Sequence, residues 1–396
     1  MKIKTCLLGA LILTSLHPLA QAELSAVALQ NALNRSLASL EASGASAAIV
    51  RNGTVVWQGQ AGVIAPGSTT PVNADTLFVH ASASKMVTAA MTLRLVEQGL
   101  VDLDTTIDHY LPAGVPGAAQ VTVRQLLRQT SGYPDLFPDP EDPDKNPSND
   151  LVVRMLSNAS LTRADLISYV EAPISTQGKH KYSNTDYVLL GEVIERASGK
   201  TFAQVYQQEI VFPLGLTRSF VTPRPREEFA QSTDYEFGEP PINFFDINTG
   251  LPNSLYGEAF GDGPVAGTAT DGALFLDGLM HGRVLQSEML GQMLDFDPES
   301  GYGMGLMDQS NEGLPITFAG SWAGYMSRVA YFPDTDLTYM TLANSNANFD
   351  AEWLMHDVLA AANAGAVPEP ATTSLAGAAV LGAAILWRRR KRQAAA

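Results

Sequence analysis

Cysteine is almost absent from this sequence of 396 residues, and its one occurrence, Cys6, lies in an N-terminal segment typical of a secretory signal peptide. A mature chain without it has no disulfide framework, no thiol catalysis and no lipoprotein-style anchor. The six histidines show no H-E-x-x-H or other ligand spacing, so we expect neither a metal nor a cofactor. A G-x-S-x-G motif is also missing, and with it the signature of the α/β-hydrolase arrangement.

Basic residues are scarce outside the two ends of the chain. Setting aside Lys2, Lys4 and the five basic residues of "RRRKR" leaves 18 basic against 41 acidic residues, a net charge of about −23. Because nucleic-acid phosphates require a basic surface, nucleic acid is not an expected partner.

The N-terminus carries an export signal. Residues 1–22, "MKIKTCLLGALILTSLHPLAQA", combine two lysines, an apolar run and a small-x-small ending, which predicts a signal peptide that is removed before Glu23. We therefore expect an exported protein of the periplasm, the cell surface or the extracellular matrix of a bacterium.

The C-terminal segment, residues 367–396, has a Pro-Glu-Pro break, an apolar run and a basic cluster. The apolar run Leu375–Trp387 has 13 residues, fewer than the roughly 17 to 25 that a stable membrane-spanning helix needs. The segment resembles a PEP-CTERM sorting tail, with Val367–Pro370 matching the motif, and this resemblance implies processing by an exosortase-like enzyme. We expect transient membrane contact through residues 371–387; an ordinary transmembrane tail anchor is the alternative.

The body, residues 23–366, has a mixed α and β pattern. Two hairpins are predicted, one turning at Asn52-Gly53 and the other at Pro333 to Asp336, and both ends of the chain would then contribute to one antiparallel sheet. Helices are predicted for "VTVRQLLRQ", "RADLISYVEA", "NTDYVLLGEVIERASG", "TATDGALFLDGLMHG" and "DAEWLMHDVLAAANAG". Two aperiodic stretches, "DLFPDPEDPDKNPSND" and "DYEFGEPPINFFDINTGLPNSLYGEAF", are either lids and binding walls or solvated surface loops.

The stretch "FVHASASKMVTAAMTLRLVEQG" places Ser82 and Lys85 three residues apart at the start of an amphipathic helix. One interpretation is structural: Ser82 or Ser84 caps the helix, and Lys85 is a solvated charge. A cation at a helix N-terminus, however, opposes the helix dipole. The other interpretation is chemical, because residues at i and i+3 share a helix face and a lysine so placed can activate a serine nucleophile.

A second motif, Y-x-N, occurs once, from Tyr182 to Asn184, directly before a strongly periodic helix. One interpretation is purely structural: the motif caps the helix, with Ser183 or Asn184 as the capping residue and Tyr182 packing beside it. A tyrosine near a lysine ammonium has its phenolate favoured, however, and can act as a general base and later as a general acid.

With these motifs, the sequence resembles the serine hydrolases of the class C β-lactamase, D-alanyl-D-alanine carboxypeptidase and related esterase group. The resemblance covers residues 24 to 363. It depends on the segments "LFVHASASKMVTAAMTLRLVEQGLVDLDTTIDHYLP", "VTVRQLLRQTSGYPD", "YSNTDYVLLGEVIERASGKTF", "VFPLGLTRSFVTP", "GPVAGTATDGALF" and "GYGMGL". It implies an α+β fold of the β-lactamase and penicillin-binding-protein type, with a central antiparallel sheet flanked by helices and a further helical region.

The resemblance also implies roles for individual residues. Ser82 matches the acylated nucleophile, Lys85 its activating amine, Tyr182 the base that then protonates the leaving group, and Asn184 the orienting amide. The third family motif matches "FAGSWAGYMS", on a strand expected at the edge of the sheet facing the nucleophile. There Gly320 and Ser321 would contact substrate, and the N–H groups of Ser82 and Ser321 would form an oxyanion hole.

The sequence departs from the family pattern at Phe318, where relatives usually have Lys or His. A cation there meets the carboxylate of a β-lactam or a D-alanyl terminus, a contact worth roughly 1.5 to 3 kcal/mol. Arg328 could substitute, although a surface arginine is the simpler interpretation. Gln129 replaces a common His, with structural consequences only. His80 lies two residues from Ser82 but is expected to be a packing or surface residue, because adjacent positions at a helix entry seldom face each other.

These observations predict a serine hydrolase that forms an acyl-enzyme on Ser82 and acts on an ester, a small amide or a peptide. The first alternative is a D-alanyl-D-alanine carboxypeptidase or β-lactamase. The second is a catalytically weak surface or matrix protein that binds polymer or peptide with the same fold.

Overall fold

The computed structural model describes residues 24–39, 42–137, 151, 154, 161–174, 177–222, 229–233, 261–346 and 351–366. The predicted signal peptide, the C-terminal tail with its possible membrane segment 371–387, the aromatic-rich stretch 234–260 and most of the acidic loop lie outside these residues. Within the described part of the chain, no helix is long and apolar enough to cross a membrane.

A six-stranded antiparallel sheet forms the centre of the fold, in the order β2-β1-β9-β8-β7-β6. Both ends of the body contribute to it, because the first and last strands in sequence, β1 and β9, pair in the middle. A smaller sheet has the order β3-β5-β4. The strands are β1 (Gly44–Arg51), β2 (Thr54–Gly62), β3 (Phe78–Val79), β4 (Ser219–Val221), β5 (Val265–Gly267), β6 (Met307–Gln309), β7 (Leu314–Trp322), β8 (Tyr325–Phe332) and β9 (Leu337–Ala343).

Helices cover both faces of the large sheet. The described helices are α1 (Ala26–Ser39), α2 (Ser84–Glu97), α3 (Val123–Leu127), α4 (Arg163–Ile167), α5 (Asn184–Ser198), α6 (Phe202–Tyr206), α7 (Phe212–Leu214), α8 (Ala269–Met280), α9 (Ser287–Met293) and α10 (Ala351–Ala366). The pattern is the α+β arrangement predicted from the sequence, and each helix predicted there is present, although α3 and α4 are short.

The turns and caps follow from local sequence. Asn52 and Gly53 both have positive φ, 45° and 76°, as a two-residue type I′ turn requires. Thr122 and Thr162 accept hydrogen bonds from main-chain N–H groups of the first turns of α3 and α4, each within a complete capping box. Helix α5 ends at Gly199 in the left-handed conformation.

Two hydrophobic cores lie on opposite faces of the sheet. The smaller one packs α1 and α10 against one face. The larger one contains α2, α5 and α8 and fills the space on the other face. Helix α2 is buried over most of its length, since eleven of its fourteen residues are buried. It is therefore a core helix, and its N-terminus is fixed between the large sheet and α5.

Candidate active site

Ser82 lies in a single 3₁₀ turn, Ala81–Ala83, that joins β3 to α2. The turn is tight, and Ala81 has a φ of 50°, in the left-handed region that alanine rarely adopts. The capping interpretation of this segment is wrong: Ala83 occupies the N-cap position of α2, and its side chain makes no capping hydrogen bond. The Ser84 hydroxyl instead accepts a hydrogen bond from the N–H of Val265, 3.1 Å away.

Lys85 is fully buried, which corrects the interpretation of this residue as a solvated charge. Its Nζ atom donates three hydrogen bonds: to Ser82 Oγ at 3.0 Å, to Asn184 Oδ1 at 2.7 Å and to the main-chain oxygen of Asp262 at 3.1 Å. An ammonium group has three N–H donors, so all of them have partners. The buried charge is compensated only because these oxygens surround it.

Tyr182 completes a three-residue contact around the serine hydroxyl. Its OH group lies 2.7 Å from Ser82 Oγ. The Lys85 ammonium lies 4.9 Å from the centre of the Tyr182 ring and 5.7 Å from that of Tyr187, close enough for attraction between a cation and an aromatic face. The structure thus brings Ser82, Lys85 and Tyr182 together from positions up to 100 residues apart in sequence.

Asn184 opens α5 and links Lys85 to a residue that sequence reasoning missed. Its Oδ1 atom accepts from Lys85, and its Nδ2 atom donates to Asp135 Oδ2 at 3.1 Å. The amide orientation is therefore fixed from both sides. Asp135 is itself held by the N–H of Phe137, which donates to its Oδ1 atom at 3.0 Å. No motif spacing singles out Asp135, because its partner lies 49 residues away.

The strand β7 brings its backbone against the nucleophile at Gly320. A Cβ atom at this position would lie 2.5 Å from the main-chain oxygen of His80 and 2.6 Å from the nitrogen of Ser82, so only glycine fits. The sequence-based expectation for Gly320 was a close approach of the strand to a substrate, whereas the close approach in the structure is to the turn that carries Ser82. The short strand β6 pairs only with the first part of β7, at Leu314 and Thr317, and it occupies the sheet edge there.

Strand register sets the direction of the Ser321 N–H group. β7 and β8 are joined by Ala323-Gly324, both with positive φ, so the flanking pair Trp322 and Tyr325 is hydrogen-bonded. Hydrogen-bonded pairs alternate along an antiparallel ladder, and Ser321 falls on a position between them. Its N–H group therefore points away from β8.

Phe318 is 3% exposed, and its ring meets that of Tyr302 edge to face, with 6.1 Å between the ring centres. Arg328 is not on the surface, which corrects the sequence-based interpretation: it is also 3% exposed and donates to the side chain of Gln309. It is buried because β8 is an inner strand, between β7 and β9. Arg328 pairs with Ala319, so side-chain alternation places it on the sheet face opposite Phe318 and Gly320.

Two acids of this region have raised pKa values, and one of them, Asp262, lies next to Lys85. Burial raises the pKa of Asp262 to about 6, and the positive charge of Lys85 opposes that rise. Asp262 as a residue is partly exposed, but its Oδ1 atom is enclosed and lacks a hydrogen-bond partner among the described residues. Burial also raises the pKa of Asp186 well above its usual range, against a hydrogen bond from Ser131. Neither acid belongs to a cluster of three or more potential metal ligands within the described ranges.

His80 is a packing residue, as expected from the sequence. It is 2% exposed, and burial lowers the pKa of its imidazole to about 4, against a hydrogen bond with the backbone of Gly267. The ring is therefore neutral at pH 7. Its main-chain oxygen accepts a hydrogen bond from Ser327 Oγ at 2.6 Å, which ties the loop before Ser82 to β8.

Several curated proteins are similar in sequence to this chain, among them two bacterial relatives. It is 29% identical over 298 residues to penicillin-binding protein 4* of Bacillus subtilis (strain 168), covering 71% of this chain and 64% of that protein. It is 23% identical over 276 residues to a putative D-alanyl-D-alanine carboxypeptidase of Salmonella gallinarum, covering 62% of each. The matched region thus spans somewhat less than two thirds of these relatives.

Solved structures match the fold over most of the chain. The D-amino acid amidase of Ochrobactrum anthropi SV3, in complex with L-phenylalanine amide, aligns with a TM-score of 0.69 and 27% identity over 85% of this chain and 98% of that one. A penicillin-binding protein of Bacillus halodurans aligns with a TM-score of 0.66 and 24% identity, covering 84% and 99%.

Family comparison separates the body from the tail. Residues 366–391 match the PEP-CTERM protein-sorting motif, as the Pro-Glu-Pro pattern predicted. Residues 29–362, which include every described residue of the site, match the Beta-lactamase family. The chain belongs to the beta-lactamase family of serine hydrolases.

Proposed function

We propose that the protein is an exported serine hydrolase that acts through an acyl-enzyme on Ser82 and prefers esters or small amides. The observation that carries this proposal is the contact of Ser82 Oγ with Lys85 Nζ at 3.0 Å and with the Tyr182 hydroxyl at 2.7 Å. A nucleophile and a proton acceptor within hydrogen-bond distance, next to a fixed cation, are what acyl transfer requires.

In the proposed reaction, Tyr182 as phenolate takes the proton of the Ser82 hydroxyl while Lys85 stabilises the negative charge. Ser82 Oγ then attacks the substrate carbonyl. The N–H groups of Ser82 and Ser321 bind the resulting oxyanion. Tyr182 returns the proton to the leaving group, and water afterwards hydrolyses the acyl-enzyme. The role of Asn184 is to hold Lys85, through the 2.7 Å hydrogen bond to its Nζ atom.

The preference for esters or small amides rests on three positions near the site from which a cation could have reached a substrate carboxylate. Position 318 carries a buried phenylalanine, all three donors of Lys85 have partners, and Arg328 lies on the other face of the sheet. None of these positions offers a cation to a substrate carboxylate.

The ring of Phe137, two residues beyond Asp135, packs against Trp322, with 5.1 Å between the ring centres. This aromatic pair gives an apolar link between the strand β7 and the loop that holds Asn184.

Three relatives favour particular versions of the proposal. The similarity to a D-amino acid amidase supports an amide substrate. The names of the curated relatives support the alternative, a D-alanyl-D-alanine carboxypeptidase or a related cell-wall peptidase. We also propose that export uses residues 1–22 and that an exosortase-like enzyme processes the tail, because residues 366–391 match the sorting motif.

The proposal is tested by turnover of four substrates: p-nitrophenyl butyrate, D-phenylalanine amide, a penicillin and a D-alanyl-D-alanine peptide. Ser82→Ala should abolish all turnover while the protein remains folded. Ser183→Ala is the matched control, because the Ser183 hydroxyl is buried without a hydrogen-bond partner among the described residues. Faster turnover of the ester or amide than of the two carboxylate substrates supports the proposal. The reverse order would favour the peptidase, and no turnover of any substrate would favour a binding protein.

A further inference from the structure

The base proposed for the reaction, Tyr182, is carried by a segment without regular secondary structure, immediately before α5. Its hydroxyl must nevertheless stay within 2.7 Å of Ser82 Oγ. Its two neighbours in sequence, Lys181 and Ser183, are fixed by one and the same residue, Gln129. The N–H of Lys181 donates to the main-chain oxygen of Gln129 at 2.9 Å, and the N–H of Ser183 donates to its Oε1 atom at 3.0 Å.

The other end of the Gln129 side chain is also fixed. Its Nε2 atom donates to the hydroxyl of Tyr302 at 3.1 Å, and that hydroxyl lies 3.2 Å from the hydroxyl of Tyr187. Tyr187 in turn donates to the main-chain oxygen of Leu127 at 3.1 Å. The side chain at position 129 must therefore accept at one end and donate at the other, which a neutral amide does.

Gln129 makes these hydrogen bonds from a buried position with a strained backbone. The residue is 1% exposed, and its φ of 53° lies in the left-handed region, where residues other than glycine and asparagine are unusual. Strained backbone of this kind persists where the surroundings fix it, often beside an active site. The hydrogen bonds to Tyr302 and to the segment around Tyr182 are the contacts that hold it.

We propose that Gln129 is a positioning residue for catalysis, which fixes the hydroxyl of Tyr182 on Ser82 by binding the residues on either side of it. The inference rests on the proposed function. Gln129 does not touch the reacting atoms; it acts through Tyr182. Losing the Ser183 bond frees the segment to shift, and a shift of about 1 Å at a catalytic group costs on the order of a hundredfold in rate.

The test compares substitutions at Gln129 with a matched control. Gln129→Met keeps the length and apolar volume but removes both side-chain hydrogen bonds. Gln129→Asn suits the left-handed backbone and so guards against misfolding, but it is one methylene too short to reach Ser183. Gln129→His restores one acceptor and one donor, since a neutral imidazole has both. The control is Gln125→Met, which removes another glutamine side chain that accepts a main-chain N–H, that of Thr122 at 2.9 Å.

The measurement is kcat and KM for p-nitrophenyl butyrate, per active site titrated with a fluorophosphonate. Titration corrects for misfolded protein, so a merely structural role would leave the rate per site unchanged. We expect kcat to fall about ten- to hundredfold in Gln129→Met and Gln129→Asn with little change in KM. Gln129→His and Gln125→Met should stay close to the unaltered protein.

Each other result overturns the inference. Unchanged kcat in Gln129→Met and Gln129→Asn would show that the tether, the hydrogen bond from the Ser183 N–H to the Gln129 side chain, is dispensable. Equal losses in Gln129→Met and Gln125→Met would show a general effect of lost stability, and a slow Gln129→His would show that donor and acceptor do not suffice. If the unaltered protein neither turns over the ester nor reacts with the fluorophosphonate, the proposed function itself fails, which is distinguishable from all three.

Discussion

Gly320→Ala tests whether the backbone of β7 has to lie against the nucleophile. The added Cβ would stand 2.5 Å from the oxygen of His80, 2.6 Å from the nitrogen of Ser82 and 2.9 Å from that of Ala83. All three atoms belong to the main chain, so no side chain can move aside. To reach ordinary contact distances near 3.4 Å, the strand or the turn has to move by about 0.9 Å.

A displacement of this size acts on both the rate and the stability. It separates the N–H groups of Ser321 and Ser82 that are proposed to bind the oxyanion, and a shift of about 1 Å costs on the order of a hundredfold in kcat/KM. Overpacking of a close backbone contact costs about 1 to 3 kcal/mol in the free energy of unfolding. We therefore expect a folded protein with a lowered Tm and about one hundredth of the activity.

The assay is kcat/KM for ester hydrolysis together with the Tm from thermal unfolding. Gly291→Ala in α9 is the matched control, because its Cβ would meet nothing within 4 Å. As an alanine inside an exposed helix, it should raise the free energy of unfolding by about 0.5 to 1 kcal/mol and leave the activity unchanged. If Gly320→Ala keeps activity close to that of the unaltered protein, the reasoning about this contact is refuted.

Three further predictions concern charge. Phe318→Lys should raise kcat/KM for a carboxylate substrate relative to a neutral ester by about ten- to hundredfold, measured as the ratio of the two constants; an unchanged ratio would contradict the assignment of position 318. Arg328→Met should lower the Tm, because it leaves Gln309 without a buried partner, but should not change that ratio; a selective loss of the carboxylate substrate would show that Arg328 binds it. Asp262→Asn should be more stable than the unaltered protein at pH 7. In the folded protein the pKa of Asp262 is about 6, above its usual value of 3.8, so the unaltered protein loses stability as the pH rises through that interval. The difference in unfolding free energy should grow from pH 4 to pH 6 to about 1 to 3 kcal/mol and then level off; a difference that does not change with pH would rule this out.

Much of the fold was predictable because its signals are local. Asn52-Gly53 determines a hairpin turn by its backbone conformation, and the threonines before α3 and α4 mark helix starts by capping. A hairpin near each end of the body predicted one sheet made from both ends of the chain, which the structure has, but the direct pairing of β1 with β9 was not predicted. The β6 strand was not predicted, since it has three residues and is too short to show a period.

The site was predictable only in part. S-x-x-K by spacing alone permitted a helix cap as well as a catalytic pair, and only the family resemblance linked Ser82 to Tyr182, 100 residues away. Asp135 and the tether at Gln129 act through contacts between distant segments, which carry no periodic signal. The surface interpretation of Arg328 failed because strand order decides which strand is inner, and a single sequence does not specify that order.

The most direct test of the central claim is to locate the covalent adduct of a fluorophosphonate by intact mass and peptide mapping of the purified protein. The account predicts one adduct, on Ser82, which is absent in Ser82→Ala and forms much more slowly in Tyr182→Phe. It predicts normal labelling of Ser183→Ala, whose hydroxyl makes no hydrogen bond with described residues. An adduct on another residue would contradict the assignment of Ser82 as the nucleophile. So would the absence of any adduct on a protein that a thermal unfolding measurement shows to be folded.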